Sequence, residues 1–210
     1  MILRKILKNF YLSIIFLIFF IILSLSSDDL KYLKTQFEQQ LKKEPQNSKV
    51  LFNLMVVYGA LGDLENLYNT YNLLIATDPN FLKNLKKDIK EEDSSIFNLY
   101  KLAFLYYFLE DYDKSIFYFE RLYDLKPNDD WVIAFLAYLY YLKDNLNKTK
   151  ELIDKGLKLN KDNEVFHALL CALYLRENRY FSALKEYFMT LSIVQRKGYK
   201  NIFGILKNLR

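Results

Sequence analysis

Two side chains in this sequence have the type and spacing for covalent chemistry. His167 and Cys171 stand four residues apart, so on a helix an imidazole and a thiol share one face. An imidazole beside a thiol can draw off its proton and leave a nucleophile. They are also the sole His and the sole Cys of the chain. One of each makes neither an internal disulfide nor an ordinary structural zinc site. The 5 glycines are scattered, and neither G-x-x-x-x-G-K-[ST] nor G-x-G-x-x-G occurs, so no glycine-rich loop cradles a phosphate. The acid pairs Glu91-Glu92 and Asp129-Asp130 fall at helix ends, where solvation and capping account for them. His167 and Cys171 both occupy slots of an apolar pattern, which favours a packed histidine over a catalytic base. No catalytic residue, metal or cofactor is expected, and the chain does not read as an enzyme.

The elements that place these residues follow from composition and period. Hydrophobic residues make up 52% of the 210, with only 3 Pro and 5 Gly. That composition argues against disorder and against a turn-rich all-β chain. It leaves a helical protein with a large core. Tyr106, Tyr140 and Tyr174 are spaced by 34, while Tyr58 precedes Tyr106 by 48, which is 14 more. Each closes one pattern: Leu51, Leu54, Met55, Tyr58; then Leu99, Leu102, Ala103, Tyr106; then Ile133, Leu136, Ala137, Tyr140; then His167, Leu170, Cys171, Tyr174. Spacings of i, i+3, i+4 and i+7 lie on one helical face. Beyond each Tyr comes a mostly small residue (Leu67, Ser115, Thr149, Ala183) and then a bulky one (Tyr71, Phe119, Ile153, Tyr187), which marks a second helix. Pro79 and Pro127 stop two of these, because proline lacks the N–H and clashes with the preceding turn.

In these residues the chain resembles the tetratricopeptide repeat, with its W-x2-L-G-x2-Y, A-x3-F and P signature. The Trp slot holds Leu51, Leu99, Ile133 and His167, and the third and fourth units have Lys161 and Gln195 in place of the closing Pro. The resemblance implies an all-α chain: a right-handed superhelical solenoid of stacked helix-turn-helix repeats. Its units span 48–81, 96–129, 130–163 and 164–197, preceded by a partial repeat at 28–47 that supplies a second helix only. The extra stretch 82–95 reads as an inserted short helix, with Phe81, Leu82, Leu85 and Ile89 on one face. Residues 198–210 read as a C-terminal capping helix, since a solenoid must cover its last apolar face; a basic amphipathic helix touching a membrane or partner is the other reading.

Residues 10–25 carry no charge and follow Arg4, Lys5 and Lys8. With residues 1–27 they form an N-terminal membrane anchor or a signal peptide. Ser24-Leu25-Ser26 offers a cleavage site, whereas the bulky Ile, Leu and Phe favour an uncleaved anchor. Bases before the segment and Asp28 and Asp29 after it place the repeats on the extracytoplasmic side, or make the protein secreted or periplasmic after cleavage. The other bases cluster at the far end: Arg196, Lys197, Lys200, Lys207 and Arg210. The body between the two basic ends is slightly acidic, which argues against nucleic acid, whose binders show a basic face.

First helices of such stacks line the concave surface, the usual binding face. Phe97, Tyr100, Phe104, Tyr107 and Phe108 of the second unit, with Trp131, Phe135, Tyr138 and Tyr141 of the third, are expected to form an aromatic groove. An exposed helix face normally carries Lys and Glu, and large exposed apolar patches mark partner sites. The expected partner is another protein, offering an apolar or amphipathic helical segment. Some members of the repeat family grip a chaperone's C-terminal carboxylate; Lys49, Asn53, Lys101 and Arg176 do not fall in that register. The expected function is a membrane-tethered or exported interaction scaffold, with a layout similar to bacterial envelope-assembly factors. The alternative is a self-associating homo-oligomer whose groove is filled by its own C-terminal segment or by another copy.

Overall fold

The computed structural model describes residues 26–89 and 95–199. Among them are ten α-helices and no strand. They are α1 (Ser27–Lys43), α2 (Ser48–Ala60), α3 (Leu64–Thr77), α4 (Phe81–Asp88), α5 (Ile96–Phe108), α6 (Tyr112–Leu125), α7 (Asp130–Leu142), α8 (Leu146–Leu159), α9 (Glu164–Arg176) and α10 (Tyr180–Arg196). The pairs α2/α3, α5/α6, α7/α8 and α9/α10 pack as hairpins, α1 lies on α2, and α4 lies on α5. The apolar stretch 10–25 and the tail 200–210 fall outside the described residues. Among the described residues no helix is long and apolar enough to cross a membrane.

Local chemistry sets each hairpin. Asn47, Ser95, Asp129 and Asn163 precede the four first helices, and each side chain accepts from backbone N–H groups of the opening turn. Those donors have no partner within the helix, so the cap satisfies them. Between the two helices of each pair one residue takes the left-handed conformation: Gly62, Glu110, Asp144 and Asn178, with φ of 72, 60, 58 and 57°. The next backbone N–H then donates to the carbonyl of Tyr58, Tyr106, Tyr140 or Tyr174 at 2.8–2.9 Å. The tyrosine of the repeat therefore marks where the turn closes.

Inside the two central hairpins a hydroxyl ties the helices together. Ser115 donates to the Ala103 carbonyl at 2.9 Å, and Thr149 to that of Ala137 at 3.4 Å. All four of these residues are fully buried. Small residues on both sides let the helix backbones approach; Ser115 satisfies its hydroxyl on the facing carbonyl, whereas the shorter bond of Thr149 goes to the Asn145 carbonyl one turn back, at 2.9 Å. In the short added helix α4, Leu82 is buried and the Phe81 ring lies 6.0 Å from that of Phe52.

Candidate interaction surfaces

The rings expected to line an open groove are largely packed. Tyr100, Phe104, Tyr107, Phe135 and Tyr138 are buried, while Phe97, Phe108, Trp131 and Tyr141 are part-buried. The expectation of free rings is corrected for those five. The physical reason lies in what faces them. A β-carbon at Gly59 would overlap the Phe104 ring, so the missing side chain on α2 admits that ring. Phe104 then meets Phe119 and Phe135 edge-on, at centroid distances of 5.4 and 4.9 Å. Phe108 stacks on Tyr71 at 4.2 Å, and Phe97 on Phe37 at 6.3 Å. The buried hydroxyls are partnered. Those of Tyr68 and Tyr107 lie 2.9 Å apart, and the Tyr107 ring meets that of Tyr138 at 6.2 Å. Tyr100 donates to Asp129 at 3.3 Å. Burial foremost pushes the phenols of Tyr100, Tyr107 and Tyr138 far above their ordinary range.

The C-terminal end of α10 closes what remains of this wall. Gly198 takes φ of 72° and turns the chain. The Tyr199 hydroxyl then sits 2.8 Å from Glu164 Oε1 and 3.4 Å from the Gly62 carbonyl. Lys197 pairs with the same Glu164 and lies 4.9 Å above the Trp131 ring. Trp131 in turn covers Gly62 where a β-carbon would stand. First, third and fourth units thus meet at one point, around a recess of about 410 Å³ lined by Leu61, Gly62, Asp63, Trp131, Lys197 and Tyr199 among others. Burial, with Glu164 alongside, drives the Tyr199 phenol strongly upward.

The thiol–imidazole pair is arranged for packing. His167 Nδ1 is 2.6 Å from Glu186 Oε2, and Nε2 donates to the Lys161 carbonyl at 2.9 Å. Both ring nitrogens are therefore engaged, and neither is left to take a proton from Cys171. Burial first, then the Glu186 charge, raises the Cys171 thiol, which opposes the reactive thiolate. Glu186 is the residue that sequence reasoning missed. It occupies the slot that Leu152 and Tyr118 fill in the preceding units. An acid and a histidine entering core slots of the same unit was the available signal.

A second missed feature is the outer side of α10. Phe181 is 92% exposed, Tyr180 64%, Phe188 59% and Leu184 51%. The slot of Phe181 holds Glu65, Asp113 and Asn147 in the other units, and that of Phe188 holds Asn72, Glu120 and Asp154. Polar residues face water at these positions in three hairpins, and benzyl groups do so in the fourth. Large apolar patches left in water mark contact surfaces. The exposed charges of α10 are basic, Lys185 and Arg196, since its one acid, Glu186, is buried against His167.

A tetratricopeptide repeat model matches residues 98–129, which lie within the α5/α6 hairpin and its exit. The TPR repeat-containing protein MJ1428 of Methanocaldococcus jannaschii is 26% identical over 179 residues, covering 83% of this chain and 30% of that protein. The chain thus spans about 30% of that relative's length. Among solved structures, a crystal structure of MamA is 15% identical with a TM-score of 0.45, covering 81% of this chain and 92% of that one. MamA from Desulfovibrio magneticus RS-1 is also 15% identical, with a TM-score of 0.43 over 80% of this chain and 85% of that one. Residues 98–129 thus match a tetratricopeptide repeat, and this unit shares its left-handed turn and its closing hydrogen bond with the hairpins on either side.

Proposed function

We propose that this chain is a scaffold that holds other proteins and performs no covalent step. The outer face of α10 carries the proposal: Phe181, Leu184 and Phe188 stand in water where the same slots of the α8 hairpin hold Asn147, Lys150 and Asp154. Residues 10–25 tether the scaffold to a membrane or direct its export, with the repeats on the side opposite residues 1–9; the uncharged stretch and its flanking charges support this part. Envelope protein assembly is the setting this layout suits. In-cell crosslinking and pull-down of the intact chain, compared with a Phe181→Asp/Phe188→Asp variant, tests the reading. A discrete partner captured by the first and lost by the equally folded second is expected. Identical capture by both removes the face from the function.

A specific observation favours a second reading for the inner wall. Lys197 and Tyr199 already occupy it, bonded to Glu164 and beside Gly62 and Trp131. In that reading the aromatic wall from Phe97 to Tyr141 serves the chain's own closure, and a helical partner enters there only when the C-terminal end leaves.

A further inference from the structure

We infer that the outer face of α10 pairs with the same face of a second copy of this chain, the two helices running antiparallel. The inference rests on the reading of that face as a binding surface, and it names the occupant. Its apolar residues follow a two-residue seam. Phe181, Leu184, Phe188 and Leu191 fall at alternating spacings of three and four, the a and d positions of a helix-pair heptad. Pairing such a seam with itself in the antiparallel sense sets Phe181 against Leu191 and Leu184 against Phe188, so every layer joins a ring to a leucine.

The size fits as well. The exposed parts of Tyr180, Phe181, Leu184, Tyr187 and Phe188 amount to on the order of 600 Å², about three quarters of the roughly 800 Å² that each partner contributes to a standard interface. Tyr199, the last described residue, is bonded to Glu164 and the Gly62 carbonyl on the inner wall, not on this face. A bilayer would find a single lysine on the face, where surface-lying helices carry many.

Sedimentation of the purified full chain in mild detergent, over about 1–100 µM, reads the association directly. The expected result is a twofold mass that Phe181→Asp/Phe188→Asp weakens by about 100-fold or more, with helicity retained by circular dichroism. Register is read by oxidation in a Cys171→Ala background. Leu184→Cys chains mixed with Phe188→Cys chains should crosslink, and each alone should not. A single-chain mass throughout, a dimer indifferent to the aspartates, or equal crosslinking by the unmixed variants overturns the pairing. So does dimerisation that appears only once residues 200–210 are removed, or a monomer that binds phosphatidylserine vesicles through these rings. A monomer that still loses a discrete partner in the double variant overturns self-pairing and leaves the scaffold intact. A dimer that captures no other protein does the reverse.

Discussion

Glu110 holds a backbone conformation that suits glycine, as its counterpart Gly62 shows. Left-handed φ costs a residue with a β-carbon roughly 1 kcal/mol. Glu110→Gly should therefore raise the melting temperature by about 2–4 °C, corresponding to about 1 kcal/mol in a chain of this size. Calorimetry checks it, and a lowered melt would show that the Glu110 side chain contributes more than its backbone costs. Gly62→Ala should act in the opposite sense and more strongly, because the new methyl meets the Trp131 ring as well as the strained φ. Cys171 offers a chemical test. Its thiol is raised by burial and by Glu186, and the thiolate is the reacting species. Alkylation by iodoacetamide should thus be slow at neutral pH and climb only above the range in which an open cysteine reacts. A pH–rate curve that coincides with that of free cysteine would contradict the burial. At this scale the sequence is an incomplete guide. Periodicity places Phe104 and Trp131 on the inner face, but what covers them is decided by the missing side chains of Gly59 and Gly62, many residues away.

Within the α9/α10 hairpin, His167 and Glu186 replace an apolar pair, since the same slots hold Ile133 and Leu152 in the unit before. Removing one partner of a buried charged or strongly polar pair strands the other, at a cost of about 3 kcal/mol or more, whereas replacing both with apolar residues is often neutral. Glu186→Leu alone should therefore destabilise the chain markedly, and His167→Ile with Glu186→Leu should recover most of the loss. Urea denaturation of the four members of this cycle measures the coupling; additive effects would mean that the 2.6 Å contact contributes nothing. Helices and turns were legible from sequence because tyrosines and small residues recur in phase, and the phase survives the extra 82–95 stretch. The outer face of α10 was less so. A helix with apolar residues on every side reads as core, and only alignment of Phe181 with Asn147, and of Phe188 with Asp154, reveals that its solvent side has changed character.

For the whole molecule, the sole tryptophan reports on the inner wall. Trp131 lies over Gly62 and beneath Lys197. Lys197→Ala/Tyr199→Ala should red-shift its fluorescence and increase quenching by acrylamide, with helicity retained. An unchanged spectrum would mean that the wall stays shut without the C-terminal residues. The solenoid order was readable because each hairpin needs only its neighbours. The closure was not, because it joins positions that no local pattern relates. Stacked repeats ordinarily behave as a one-dimensional array, each unit stabilised by those beside it and the ends fraying first. The Tyr199–Gly62 contact spans 137 residues of sequence and couples the fourth unit to the first. Such a link changes the statistics of unfolding. Neither end can open without loosening the other, so amide exchange in α2 and α10 should proceed at one shared rate, and the array melts as a single cooperative unit.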